Sequence, residues 1–231
     1  LLDRETGALL AVMDGRYITE ARTAAVSALS VRYVAGAGAR SVALIGSGVQ
    51  AHSHYELLGH LGGITEWRCW SPTRARRESF AAEHAGVRAC ASAEEAVRGA
   101  SIVVLATSSA SPVISAEWVA PGAHVIAVGA CQPHEREIDP ALVAQSRLFV
   151  DSREAALRES GDVVGGIRDG LFGEDHIVAE LGSVIAGGVR YRRREGDITL
   201  FKSLGLAVED VMAAELAYRR AVAAGIGQRL S

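Results

Sequence analysis

Short, nearly continuous apolar runs alternate along this chain with longer stretches in which apolar and polar residues are mixed at helical spacing. The runs at 42–45, 67–70, 87–90, 102–105, 124–129 and 148–150 are too short for buried helices and read as strands. Between them, the spacing predicts helices over 49–59 and 71–84, the latter with Ser71 as N-cap and Pro72 at the first helical position. A further helix opens at Ser92, with Glu94 and Glu95 in its first turn. Buried strands alternating with helices imply an α/β fold: a doubly wound parallel sheet with helices on both faces.

The two ends of the chain read differently. Residues 9–13 form a strand-like run that stops at the turn signal Asp14-Gly15, and Thr19 is a good N-cap for a helix reaching about Tyr33. That start puts Arg22 in a first helical turn, where a cation opposes the helix dipole. Arg22 is therefore either functional or a solvated charge. After Asp151 the strand–helix repeat stops. A helix is expected over 152–160, and residues 161–173 are glycine-rich with no clear period. Residues 199–205 lead into a final helix with Leu204, Val208, Val211, Met212 and Leu216 on one face. The terminal helices flank the strand–helix repeat and suit a second, smaller body.

With 231 residues and 49% hydrophobic content, a real core is assured. The net charge of −3 gives no footprint for nucleic acid or an anionic membrane. No apolar run approaches the ~20 residues of a membrane span. Cys69, Cys90 and Cys131 are isolated, which argues against a disulfide framework and fits a reducing cytoplasm. No metal site is expected: His52 and His54 lie two apart on a helix and point in different directions. They read as surface or interface residues, and Glu135, Glu137 and Asp139 as a solvated acidic loop. No signal peptide is visible from Leu1 onward.

The chemistry begins where the first strand ends. Gly46-Ser47-Gly48-Val49-Gln50-Ala51 fits the G-x-G-x-x-G/A dinucleotide fingerprint. Gly46 allows the tight turn, Gly48 lets the backbone approach a pyrophosphate, and Ala51 lets the helix pack on the strand. The other strand ends add Ser71, Thr73 and Arg74, then Thr107 and Ser108, then Val128, to the expected cofactor set. Dinucleotide enzymes that prefer NAD place a carboxylate after the second strand. Here that place holds Trp70-Ser71-Pro72-Thr73-Arg74, so hydroxyls, a helix start and Arg74 favour NADP(H) over NAD(H), with Arg76 and Arg77 solvated. Asp151 and Glu154 border a substrate pocket, or else Asp151 or Ser152 serves as a helix cap.

Nearly the whole chain resembles the ornithine cyclodeaminase/mu-crystallin family. The resemblance is carried by Met13-Asp14-Gly15, Ile18-Thr19, Arg22-Thr23-Ala24-Ala25 and Gly46 to Ala51, together with Phe201-Lys202-Ser203-Leu204-Gly205 and Glu209-Asp210. It is nearest the mu-crystallin, or ketimine reductase, branch through Gly48 to Glu56, through Asp151 to Asp162 and through Phe201 to Asp210. The resemblance implies a Rossmann domain (36–175) inserted into a substrate and dimerisation domain built from 1–35 and 176–231, and a homodimer. It also implies that Arg22 pairs with a substrate carboxylate and that Thr23, Gln50, Ala51, Thr107 and Ser203 lie along a nicotinamide cofactor. The family's catalytic lysine belongs to a segment ahead of Leu1; Lys202, the one lysine here, lies in a different motif. Cys131 falls where ornithine cyclodeaminases carry an aspartate, and a neutral thiol cannot manage protons as a carboxylate does. The resemblance therefore favours an NAD(P)H-dependent reductase of cyclic ketimine or imino acid carboxylates, with Cys131 against the substrate. Ornithine cyclodeaminase, amino acid dehydrogenase and a non-catalytic binder of NADPH and a small carboxylate are the alternatives.

Overall fold

All six expected strands form; those at 41–45, 102–105 and 124–127 are buried throughout, as only a sheet covered on both faces allows, while those at 66–70 and 87–89 are partly exposed. The structure, a computed structural model describing residues 1–36 and 38–228, arranges them in chain order as β1 (Ser41–Ile45), β2 (Glu66–Trp70), β3 (Val87–Ala89), β4 (Ile102–Leu105), β5 (His124–Ala127) and β6 (Arg147–Val150). Two more strands, β7 (Ile177–Glu180) and β8 (Thr199–Lys202), complete a sheet ordered β3-β2-β1-β4-β5-β8-β6-β7, parallel throughout. β8 pairs with β5 on one side and β6 on the other. The boundary placed at 175/176 therefore does not interrupt the sheet, which β7 and β8 continue.

Alternate residues of each strand serve two cores. Ala43, Ile45, Val103, Leu105, Val125 and Leu200 face one way; Val42, Leu44, Ile102, Val104, Ile126 and Phe201 face the other. Helices α2 (Val49–Gly59) and α3 (Arg74–Glu83) follow β1 and β2, and α4 (Ala93–Val97) and α5 (Pro140–Gln145) follow β3 and β5. After β6 come α6 (Arg153–Glu159) and α7 (Gly161–Arg168), the second formed by glycine-rich sequence without a legible period. A short α8 (Leu181–Ile185) follows β7.

The first helix starts earlier than its sequence suggests. α1 spans Gly15–Val34 and is capped by Asp14, whose carboxylate accepts from Arg16 N at 2.9 Å. The Asp14-Gly15 pair is thus a helix start rather than a turn. The preceding run, 9–13, forms no strand; Leu9 makes only an isolated bridge to Leu2. α1 packs against α2 and the final helix, α9 (Ala207–Ala224). Its small residues Ala24, Ser27 and Ser30 are buried, so its backbone approaches closely. α9 ends at Gly225, whose φ of +66° is the left-handed cap glycine adopts freely. Its apolar residues Val208, Val211, Met212 and Leu216 are exposed.

Candidate active site

The carboxyl ends of β1, β2, β4 and β5 open into one cavity of about 1010 Å³. Gly46 has φ +122°, and a Cβ there would sit 2.2 Å from the Ala106 carbonyl oxygen, so glycine alone allows the β1 turn to pass the end of β4. A Cβ on Gly48 would meet nothing within 4 Å; its side of the turn faces open space. Gly48 is also the N-cap of α2, and Thr73 the N-cap of α3, and neither makes a side-chain cap hydrogen bond. Two helix starts with free N–H groups therefore border one cavity, the arrangement that binds phosphates. Ser47 Oγ donates to Ser71 Oγ at 2.9 Å and ties the glycine turn to the approach to α3. Ser71 is thus not the cap of α3, a correction that follows from the helix starting at Arg74. Gln50 Oε1 is buried on this wall without a hydrogen-bond partner, a vacancy in the polar accounting that a ligand donor can fill.

Of the residues expected at the cofactor, Gly46, Gly48, Val49, Gln50, Ser71, Thr73, Thr107, Ser108 and Val128 line this cavity. Ala51 does not; it is wholly buried in the core beneath α2. Arg74 does not either. Its side chain is 79% exposed and pairs with Glu78 one helical turn on. The arginine on the wall is Arg76, and Arg77 donates to the Ser71 carbonyl at 2.9 Å. The solvated and ligand-facing roles are exchanged because α3 starts two residues later than expected. Thr23 is buried with its hydroxyl on the Thr19 carbonyl, and Ser203 donates to Asp151 at 3.0 Å.

Arg22 lies two turns inside α1, so the helix dipole, which acts within the first turn, does not single it out. Other observations do. Its guanidinium is largely buried, with Nη1 3.1 Å from Glu209 Oε2 and Nε 3.1 Å from Asp210 Oδ1. It lies over Gly205, where a Cβ would meet it at 2.6 Å. Burial raises the Glu209 carboxyl above its ordinary range, opposed by the Leu206 amide and by Arg22. Cys131 is half-buried beside Val128, and burial pushes its thiol up, which keeps it neutral.

Several residues contradict the solvated reading. Glu137 is wholly buried, as is Lys202, whose Nζ lies 3.2 Å from both Glu137 Oε1 and Asp162 Oδ2. A lysine inside the apolar strand Thr199–Lys202 was the available signal, since a buried ammonium requires partners. Asp139 caps α5 and also accepts from Ala116 N. Asp151 is a structural brace: one oxygen accepts from Ser203 Oγ, Leu204 N and Gly205 N, and the other from Ser152 N. His54 is not a surface residue but wholly buried, bonded to Ser27 Oγ at 2.8 Å and the Gln50 carbonyl at 2.6 Å. His52 instead meets His84 at 2.7 Å. Among the described residues, no three His, Cys, Asp or Glu side chains are grouped to hold a metal.

Comparison with known proteins agrees with this geometry. Residues 1–225 match the ornithine cyclodeaminase/mu-crystallin family. The chain is 48% identical over 220 residues to the ketimine reductase mu-crystallin of Rattus norvegicus, covering 94% of this chain and 67% of that protein. It spans about two thirds of the length of that relative. The solved structure of Thermococcus litoralis Δ1-pyrroline-2-carboxylate reductase, in complex with NADH and L-proline, superimposes with a TM-score of 0.96 at 36% identity, covering all of this chain and 73% of that one. An archaeal alanine dehydrogenase dimer with bound NAD gives 0.92 at 31% identity, covering 100% of this chain and 72% of the other.

Proposed function

The chain belongs to the ornithine cyclodeaminase/mu-crystallin family, and from that membership we propose that it acts as an NAD(P)H-dependent reductase of cyclic ketimine or imino acid carboxylates. The observation that carries this reading is the cavity walled by two helix starts without side-chain caps and by an unpartnered Gln50 Oε1. The starts of α2 and α3 suit the phosphates of a dinucleotide, and Thr107, Val128 and Gly129 suit its nicotinamide end. When bound, the cofactor supplies the hydride that reduces the imine carbon. The chain's own residues bind and orient. Arg22, steadied by Glu209 and Asp210, takes the substrate carboxylate through a guanidinium fork. Thr23, next to Arg22 on α1, and Ser203, held by Asp151, lie outside the cavity lining and are assigned to the cofactor by the family resemblance alone, and neutral Cys131 borders the substrate without acting as a base. With Ser71, Thr73 and Arg76 on the wall and no carboxylate directly after β2, NADP(H) is the preferred cofactor.

The exposed apolar residues of α9 and the dimeric state of the alanine dehydrogenase relative support a homodimer built through a substrate and dimerisation body that includes α1 and α9. No described helix is long and apolar enough to cross a membrane, and three free cysteines fit a cytoplasmic site. The test is oxidation of NADPH by the full-length protein with Δ1-pyrroline-2-carboxylate, with an ornithine assay in parallel. Imine-dependent oxidation without proline from ornithine is the expected result. Tight NADPH binding with no turnover would identify a binder, and proline with ammonia from ornithine a cyclodeaminase.

A further inference from the structure

Two buried carboxylates share one buried ammonium beneath the cavity. Glu137 and Asp162 each lie 3.2 Å from Lys202 Nζ, and all three side chains are sealed from solvent. Fully ionised, the cluster would hold one uncompensated negative charge, which is costly in a protein interior. If stability were its only purpose, a single Lys–Glu or Lys–Asp pair would serve better. The extra carboxylate has other contacts. Glu137 Oε1 accepts from the Gly129 amide at 2.6 Å, and Oε2 from the Thr107 hydroxyl at 3.3 Å. Both donors line the cavity, while Asp162 turns the other way and accepts from Ile138 N. Gly129 has no room for a side chain: a Cβ would lie 2.2 Å from Glu137 Oε2 and 2.2 Å from the Thr107 carbonyl. Burial raises both acids above their ordinary range and Lys202 opposes it.

We propose that Glu137, anchored by Lys202, is a positioning residue that fixes the Thr107 hydroxyl and the Gly129 amide at the nicotinamide end of the cavity. The location of that end rests on the reductase reading above; the contacts themselves do not. Thr107 is the residue that touches the ligand, and Glu137 acts through it.

Glu137→Gln is the informative change, because it removes the surplus charge and leaves a balanced Lys202–Asp162 pair. A purely structural cluster would tolerate it, with melting temperature, kcat and KM unchanged. Positioning predicts a retained melting temperature, a kcat lower by at least about tenfold, and a nearly unchanged KM for substrate. Thr107→Val should reproduce the fall in kcat, and Thr107→Ser should restore most of it. The double variant Glu137→Gln/Thr107→Val should be no worse than either single change, since both break one link. Additive losses would overturn the proposal. A cofactor-free readout keeps the test independent of the reaction. The Gly129 amide, bonded to a charged oxygen, should give a downfield proton resonance that moves upfield in Glu137→Gln. An unmoved resonance would overturn the positioning role even if imine reduction is confirmed. A moved resonance in a protein that binds NADPH but reduces no imine would uphold it and reject the reductase reading.

Discussion

The guanidinium of Arg22 is held 3.1 Å from Glu209, a residue that follows it by 187 positions in the chain. Two acids on the first turn of α9 therefore aim an arginine on α1, and the fork is already ordered before any carboxylate arrives. Ordering in advance reduces the entropy lost on binding. Charge-assisted hydrogen bonds are worth ~1.5–3 kcal/mol each, so Arg22→Ala should weaken carboxylate substrates by at least about tenfold. Arg22→Lys should recover part of this, because a point charge cannot reproduce the fork. Cofactor affinity should stay the same; substrate and NADPH titrations on one preparation check both. Gly205→Ala should act similarly with the Arg22 residue itself retained, since its Cβ would press on the guanidinium and its φ is +87°.

Cofactor choice should depend on Arg76 and Thr73 rather than on Arg74. Arg76→Ala should weaken NADPH by about tenfold, the loss of one charge-assisted contact, and leave NADH nearly unaffected. Arg74→Ala should change neither, because Arg74 points to solvent and pairs with Glu78. Dissociation constants for both cofactors at fixed salt decide it. Tighter NADH than NADPH binding by the unmodified protein would reject the preference itself.

Asp151→Asn should destabilise the fold by about 2 kcal/mol, because an amide presents a donor where at least one buried N–H or O–H now finds an acceptor. The carboxylate braces the end of β6 to residues 203–205, so the same change should loosen Gly205 and, through it, Arg22. Urea unfolding and substrate affinity measured on the same variant should therefore move together.

Acid should destabilise the protein through two histidines. Burial lowers His54 to about 4 and His124 to about 3, against 6.5 when exposed. The unfolded chain then binds more protons than the native one between those values, so stability rises with pH there. The contribution is complete above about 6.5 and is lost as pH falls through that range, on the order of 3 kcal/mol for His54 by pH 4. Urea midpoints from pH 7.5 down to 4.5 should show this slope. It should be shallower in His54→Gln, which keeps a hydrogen-bonding side chain facing Ser27 but does not titrate.

Strand positions and the dinucleotide turn were legible because they depend on local signals: apolar runs, two glycines and a small residue at fixed spacing. β8 was not. Its run is broken by Thr199, whose hydroxyl meets His124 Nδ1, and by Lys202, whose burial is explained by Glu137 and Asp162 from distant parts of the chain. Reading Glu137 as solvated failed for the same reason, since nothing within its own loop neutralises it. The N-cap expected at Thr19 lies five residues beyond the actual cap, Asp14, so the dipole argument for Arg22 fails while its burial between two acids gives a better one. Arg74 and Arg76 illustrate the limit of spacing: a shift in where α3 begins rotates which arginine faces the cavity.

The insertion of β8 between β5 and β6 has a consequence for how the molecule is made. A chain emerging from the ribosome presents β1 to β5 early, and those strands can pair as they appear. β6 and β7 can pair with each other, but neither reaches the first five strands without β8. The native sheet cannot be completed until residues 199–202 are synthesised, and they bring the one lysine that lies between Glu137 and Asp162. Completion of the sheet is therefore timed by the last strand to arrive, and a nascent chain halted before Thr199 would leave the facing edges of β5 and β6 unpaired.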